Sequence, residues 1–386
     1  MADRFEYAGA LPSGPVRGRG AGLNPANRFE SVGLSVHGEF LDQEAARRSG
    51  SPALMATQVH ADDSRTVINR VDSPDLDFNW TVNPYRGCEH GCIYCYARPG
   101  HETLGLSCGV DFETTIFAKF DARRILRREL GRPSWAGDPI VLSGVTDPYQ
   151  PVESKLKITR QCLEVFAACR QPLSVVTKSR LVLRDLDLIG ELARHDAVSV
   201  CVSLTSLDSR LAAKMEPRAS CPEDRLHTVR KLAEARVPVT VLMAPIVPGL
   251  TDTHIPKVLE AAAEAGAVSA GYVLLRLPHQ VEALFLDWLR REFPQRANHV
   301  ASLVRQTRGG RLNDGRFGVR MRGEGPIATH IGSMFRLWAR RCGLRRRSPP
   351  LSNRAFVRPA DKGQMMLWTQ SDGATKGGDL EMSSPT

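Results

Sequence analysis

The feature that most constrains this chain is a rhythm running from residue 139 to residue 292. Short runs rich in β-branched residues alternate with longer helical patterns. PIVLSGV (139–145) precedes a helical stretch at 155–169, and PLSVVTK (172–178) precedes one at 181–195. AVSVCVSL (197–204), VPVTVLMAP (237–245) and VSAGYVLLRLP (268–278) precede helical stretches at 222–235, 254–265 and 281–292. None of the strand runs alternates polar with apolar residues, the mark of a sheet covered on both faces. The helical stretches carry one apolar stripe, such as Leu181, Leu186, Ile189 and Leu192. Alternating βα units build a parallel sheet with right-handed crossovers. A further strand at Trp80–Val82, followed by a helix from Glu113 to Leu130, brings the number of units to six. Six are too few for a complete eight-stranded barrel, so the sequence predicts an α/β fold, a partial (β/α)6 TIM-type barrel. Its reactive rim belongs at the C-terminal strand ends.

That core spans residues 66–300. Residues 1–65 and 349–386 are rich in Gly, Pro and charge without periodicity, and read as a flexible N-terminal extension and a disordered tail. Residues 301–348 form a C-terminal appendage that either closes the barrel or stands apart, and GGRLNDGRFGVRMRGEGP within it reads as turns or a hairpin. No apolar run approaches the ~20 residues needed to cross a bilayer. The opening MADRFEYAGALPSG lacks the basic and apolar regions of a secretion signal. The expectation is a cytoplasmic protein with no membrane association.

The formal net charge is +10, and RLWARRCGLRRRS (336–348) carries six arginines and no acid. The cluster Arg336–Arg347 suits a phosphate backbone, and equally a solvated helix face. The nine cysteines point elsewhere. In a reducing compartment clustered thiols signal metal or redox chemistry rather than disulfides. Cys88, Cys92 and Cys95 fall within eight residues as C-x3-C-x2-C, while the other six are scattered and read as small buried hydrophobes. Three soft thiolates on one short loop suit three irons of a [4Fe–4S] cubane, with the fourth iron open to a small ligand. Gly87 and Gly91 allow the backbone to turn tightly there, and Arg86 and Arg98 would offset cluster charge. Two alternatives stay open. Zinc would take His90, His101 or Cys108 as fourth ligand and stabilise a non-catalytic nucleic-acid-binding protein, although no second ligand pair accompanies the motif. A ferredoxin-like electron carrier would need a fourth cysteine.

With aromatic Tyr94 before the last cysteine, NPYRGCEHGCIYCYARP resembles the signature loop of the radical S-adenosylmethionine (SAM) superfamily. Together with SGVTDPYQPVE, VTKSRLVLRD and APIVPGLTD it is similar, over residues 66–335, to the spore photoproduct lyase-like branch. The resemblance implies a [4Fe–4S] cluster on Cys88, Cys92 and Cys95 that binds SAM. It places Tyr94 near the adenine and Lys178 and Ser203 at the SAM carboxylate and ribose. Ser143, Gly144 and Asp147 fall near the methionine amino group, where Ser-Gly-Val-Thr replaces the usual Gly-Gly-Glu. The implied reaction is reductive cleavage of SAM to a 5′-deoxyadenosyl radical, which abstracts hydrogen from an unidentified substrate. The electron would come from a donor such as flavodoxin or ferredoxin. The branch also implies DNA photoproduct repair or another nucleic-acid modification. The branch's hydrogen-donating cysteine is missing, since no cysteine occurs between Cys108 and Cys162. Tyr96 or Tyr149 would then serve as relay, and Glu153, Arg160 and Asp185 are further polar candidates on the rim.

Overall fold

The computed structural model describes residues 16, 18–29 and 55–359. Its strands are β1 (Gln58–Ala61), β2 (Ile68–Arg70), β3 (Trp80–Val82), β4 (Tyr85–Arg86), β5 (Thr115–Ala118), β6 (Ile140–Leu142), β7 (Leu173–Thr177), β8 (Val198–Ser203), β9 (Val239–Ile246) and β10 (Ser269–Leu274). The main sheet runs β10-β9-β8-β7-β6-β3-β2. Every neighbouring pair from β3 to β10 is parallel, and β2 joins the edge antiparallel. The six parallel strands make the expected partial barrel. Its register aligns Leu142 with Val175, Val175 with Val200 and Val200 with Val239, all fully buried. Burying each such valine contributes about 1.5–3 kcal/mol, which explains why these strands carry no polar alternation.

The helices follow where the periodicity puts them, at Ile158–Cys169, Leu186–Ala193, Pro222–Glu234, Ile255–Glu264 and Val281–Glu292. One expectation fails. Residues 113–130 are not a single helix, because a short turn at Asp111–Thr114 gives way to β5 before the helix Ala122–Leu130 begins. The β-branched Thr114, Thr115 and Ile116 favour strand. β5 pairs with β1 and β4 in a separate three-stranded sheet.

Residues expected in a flexible extension are also fixed. Within 1–65, residues 18–29 and β1 lie against the core. Arg19 donates to the backbone carbonyls of Glu113 and Met55, each at 2.7 Å, and Arg28 pairs with Glu102 at 2.7 Å. The Gly-rich composition serves close approach here, since a Cβ on Gly20 would lie 1.9 Å from the carbonyl oxygen of Gly91. At the other end, residues 351–359 run across the core, with the Val357 amide donating to the Cys169 carbonyl. The rest of the expected tail, 360–386, lies outside the described residues.

Residues 301–348 cover the open side of the barrel. The helix Gly325–Arg341 packs on β10 and on helix Ile255–Glu264. Ahead of it, GGRLNDGRFGVRMRGEGP forms turns rather than a hairpin. The Leu274 amide donates to Met321, while the amide of Gly318 and the guanidinium of Arg320 bind Asp75 in the loop between β2 and β3. This stretch therefore spans the gap between the first and last barrel strands. No helix among the described residues is long and apolar enough to cross a membrane.

Candidate active site

The cysteine loop leaves β4 at the C-terminal rim and is held by its backbone from several directions. The Cys88 amide donates to the Phe112 carbonyl at 2.9 Å, and Ile93 donates to Met215 at 3.1 Å. From the loop after β6, Thr146 and Gln150 donate to the Gly87 carbonyl, and the side-chain oxygen of Gln150 accepts from the Glu89 amide. Gly87 and Gly91 take φ values of +79° and +66°, the left-handed region that glycine enters freely. The buried Arg98 donates to the Cys92 carbonyl at 3.0 Å and pairs with the buried Glu113 at 2.5 Å. Glu113 also accepts the Gly20 and Ala21 amides, each at 2.9 Å. The loop is thus clamped between barrel rim and N-terminal segment.

The three thiols gather on one loop, with Cys88 and Cys92 each 7% exposed and Cys95 half-buried. They feel one another electrostatically. Burial raises the Cys92 thiol well above its usual pKa and raises that of Cys95, and neighbouring thiols add to both. Lys178 and Arg98 act in the opposite sense on Cys92 and Cys95 respectively. Buried thiols that resist ionisation alone, flanked by fixed cations, are a donor set suited to a cluster whose irons stabilise the thiolates.

Of the alternative zinc ligands, His101 and Cys108 are engaged elsewhere, while His90 pairs with Asp147 and also interacts with the Cys88 thiol. His101 Nε2 lies 2.9 Å from the Thr115 carbonyl, with burial lowering its pKa to about 4. His90 Nδ1 lies 3.3 Å from Asp147. Cys108 faces Gln280 and is pushed up by burial to about 11. Among the described residues, no three His, Cys, Asp or Glu side chains converge on a single ion. A cubane asks for no such convergence, since each thiolate meets its own iron.

The family model described as "Radical SAM superfamily" matches residues 82–262. Uncharacterised proteins of Mycobacterium tuberculosis and Mycobacterium bovis are 37% identical over 245 residues, covering 63% of this chain and 72% of theirs. A "Radical SAM Nalpha-GlyT isomerase" of Pseudomonas phage M6 is 25% identical over 276 residues, 68% of this chain and 52% of the phage protein. This chain belongs to the radical SAM superfamily. Among solved structures, spore photoproduct lyase complexed with dinucleoside spore photoproduct superposes with a TM-score of 0.52 at 17% identity, covering 74% of this chain and 80% of the lyase. That similarity is one of fold.

The expected cofactor residues have unequal surroundings. Lys178, at the end of β7, points toward the cysteine loop. Its ammonium lies 3.9 Å from Glu216 and 5.9 Å from the centre of the Tyr94 ring. Burial opposes its charge, but the Cys92 thiol and Glu216 outweigh burial and raise its pKa. Ser203 is buried at the end of β8, and its carbonyl accepts from Arg225 at 3.1 Å. Ser143 and Gly144 take φ values of +148° and +140°, so the β6 rim is forced into a tight bend. The Ser143 hydroxyl donates to the Thr146 carbonyl, and Tyr96 donates to the Gly144 carbonyl. Asp147 already serves the protein, accepting from Thr177 at 2.7 Å and from the Tyr149 and Lys178 amides at 2.9 Å each. Burial opposes its charge, yet His90 and these donors hold its pKa at about 2. It braces the β7 rim against the cysteine loop.

Glu153, Arg160 and Asp185 lie in a different network, which joins Arg184 to Glu153 at 2.6 Å and Arg160 to Asp185 at 2.9 Å. Tyr149 is fully buried beside it. The sequence reading missed Glu216 and Arg225, both buried at the centre of the rim. Glu216 accepts from the Tyr94 hydroxyl and from Arg225. Its pKa is lowered, Arg225 and Lys178 together outweighing burial. The signal was available: Arg225, Val229 and Leu232 fall at i, i+4 and i+7, placing an arginine on the buried face of its helix.

Proposed function

We propose that Cys88, Cys92 and Cys95 hold a [4Fe–4S] cluster and that SAM lies against the rim between Tyr94, Lys178 and Ser203. The observation that carries this reading is the position of three mutually interacting thiols over the C-terminal ends of six parallel strands, with the Lys178 ammonium beside them. A reduced cluster held by Cys88, Cys92 and Cys95 would supply one electron for reductive cleavage of SAM and so the means of abstracting hydrogen from the substrate. The chain's own residues bind, orient and shield. Lys178 is a compact charge for the SAM carboxylate, and Glu216 fixes both that ammonium and the Tyr94 ring. Nine free cysteines and the oxygen-sensitive cofactor suit a reducing, cytoplasmic setting. Anaerobic reconstitution with iron and sulfide, reduction by dithionite and detection of 5′-deoxyadenosine by mass spectrometry test the reading. A protein that takes up no four-iron cluster, or whose reduced cluster leaves SAM intact, overturns it.

A second, finer reading takes nucleic acid as substrate. It is favoured by the barrel mouth, where guanidinium groups stack on aromatic rings. Arg276 lies 5.5 Å from the ring of the exposed Tyr96, and Arg320 lies 4.3 Å from that of the exposed Phe317. Arginine–aromatic surfaces suit unstacked bases and phosphates. The dinucleoside spore photoproduct bound by the spore photoproduct lyase that shares this fold adds support. The Arg336–Arg347 cluster is less well placed, because Arg345 pairs with Ser269, at the opposite end of β10 from the mouth. A single-stranded oligonucleotide should bind with a steep salt dependence that weakens in Arg276→Ala and Arg320→Ala. Equal binding by these variants sinks this second reading. Repair of a thymine photoproduct through a rim cysteine is not part of it, since Ser143 and Gly144 occupy that place.

A further inference from the structure

Each thiol of the cysteine loop has a basic side chain beside it, and each of those has a carboxylate. His90 interacts with the Cys88 thiol and lies 3.3 Å from Asp147. Lys178 interacts with the Cys92 thiol and lies 3.9 Å from Glu216. Arg98 interacts with the Cys95 thiol and lies 2.5 Å from Glu113. The third pair is built from other parts than the residues proposed for SAM. The Arg98 guanidinium donates to the Cys92 carbonyl at 3.0 Å and to the Gly109 carbonyl at 2.8 Å, while Glu113 accepts the Gly20 and Ala21 amides. Both side chains are fully buried.

A buried ion pair of this kind returns little net stability. The carbonyls account for the guanidinium, since a planar fork of donors ties two loops at once. The carboxylate does two things: its oxygens take the two amides, and its negative charge, weakly screened by burial, cancels that of Arg98 beside Cys95. The other two thiols point to charge as the common theme. Asp147, Glu216 and Glu113 come from different loops and bond different donors, and what they share is the basic group each one neutralises. Charge matters to a cluster, whose reduction potential follows the net charge and hydrogen bonding around it. Splitting a sulfonium takes a strong reductant. An uncompensated cation beside a ligand thiolate would make the cluster a weaker one.

We infer that Glu113 is a positioning residue acting through Arg98: it cancels the guanidinium charge, so the loop keeps its clamp and the cluster keeps a low reduction potential. The inference rests on the cluster assignment proposed above. It also gives the N-terminal segment a part in the chemistry, because the Gly20 and Ala21 amides hold that carboxylate in place.

The test uses full-length, anaerobically reconstituted protein, with iron content and urea unfolding measured first. A dithionite titration followed by electron paramagnetic resonance then reads the midpoint potential of the cluster in each variant. In Glu113→Gln the ratio of reduced to oxidised cluster at a fixed solution potential should rise about tenfold, a positive shift of about 59 mV for one electron. In Arg98→Gln the ratio should fall by a similar factor, and in the double variant it should return to within about threefold of wild type. Arg98→Lys keeps the charge without the fork, so its ratio should also stay within about threefold of wild type while the loop loosens. A clamp alone gives no reason for opposite signs. Shifts of the same sign in Glu113→Gln and Arg98→Gln therefore overturn the inference, as does an unchanged potential in Glu113→Gln. An Arg98→Lys potential as low as that of Arg98→Gln overturns it too, and leaves the pair a clamp. Should Glu113→Gln hold no cluster, a lowered potential in Arg98→Gln with a wild-type one in Arg98→Lys decides. Should Arg98→Gln hold none, a raised potential in Glu113→Gln with a wild-type one in Arg98→Lys does. A wild-type chain that takes up no four-iron cluster condemns the cluster assignment instead, a result distinct from all of these.

Discussion

The barrel interior and the rim above it are built on opposite principles. The interior is an unbroken apolar cluster that takes in Leu163, Val175, Val200, Val239 and Val241. The rim, within a few residues of the strand ends, buries Arg98 with Glu113 and Arg225 with Glu216, along with Glu89 and Glu153, and half-buries Asp147 and Lys178. Buried ion pairs seldom add net stability over apolar packing, but removing one partner is costly. The interior therefore supplies folding energy, and the rim places fixed charge around the thiols. Perturbing the first should cost stability across the whole chain. Perturbing the second should change the site, whatever it does to the fold.

The sharpest contrast comes from the thiols. Replacing Cys88, Cys92 or Cys95 with Ala should abolish the four-iron cluster and reduce SAM cleavage to background. The midpoint of unfolding of the metal-free chain should stay nearly unchanged, as iron analysis and urea denaturation would show. A large loss of stability in these variants would erase the distinction between rim and interior.

Next comes the rim pair. Arg225→Ala leaves Glu216 buried without its main partner and should cost about 3–5 kcal/mol in urea unfolding, while Leu163→Ala in the interior should cost about 2–5 kcal/mol through its cavity. The two separate in a second readout, because only Arg225→Ala removes the guanidinium that holds Glu216, the carboxylate shared by Tyr94 and Lys178, and should weaken SAM binding by calorimetry. Equal SAM affinity in both variants would mean that Glu216 positions nothing.

A pH titration adds a smaller effect. Burial lowers the pKa of His101 from 6.5 to about 4, so the folded rim keeps it neutral where the unfolded chain would protonate it. The stability this confers is complete above pH 6.5 and drains away as pH falls from there toward 4. The shift corresponds to roughly 3 kcal/mol. His101→Gln should flatten that part of the stability curve of the metal-free protein, and a curve of unchanged slope would count against a buried neutral imidazole. The smallest effect belongs to the surface. Replacing Arg345, Arg346 and Arg347 should change stability by no more than about 0.5 kcal/mol, a value that a melting curve can check.

The same contrast explains what could be read from the sequence. Interior strands announce themselves because burial on two faces demands continuous apolar runs, and five of the six barrel strands fall inside the runs that begin at residues 139, 172, 197, 237 and 268, although β9 extends one residue past its run. The cysteine loop was legible because thiolate spacing is a local property. The rim's charge network was not, since Arg225 reaches Glu216 and Glu216 reaches Tyr94 only after three loops have come together. Residues 113–130 misled for a related reason. Helical periodicity in 122–130 was extended backward over Thr115–Ala118, whose strand depends on partners at 58–61 and 85–86. The glycines near residue 20 misled most. Composition cannot tell a glycine chosen for freedom from one chosen to let two backbones touch.

The contact of Gly20 with Gly91 joins residues 71 apart in the chain, and those of the Gly20 and Ala21 amides with Glu113 join residues 93 and 92 apart. Such a closure is entropically expensive and forms late. The stretch that leaves the ribosome earlier finds its seat only once residues 91 and 113 have emerged and turned. Until it settles, the cysteine loop lacks its N-terminal clamp.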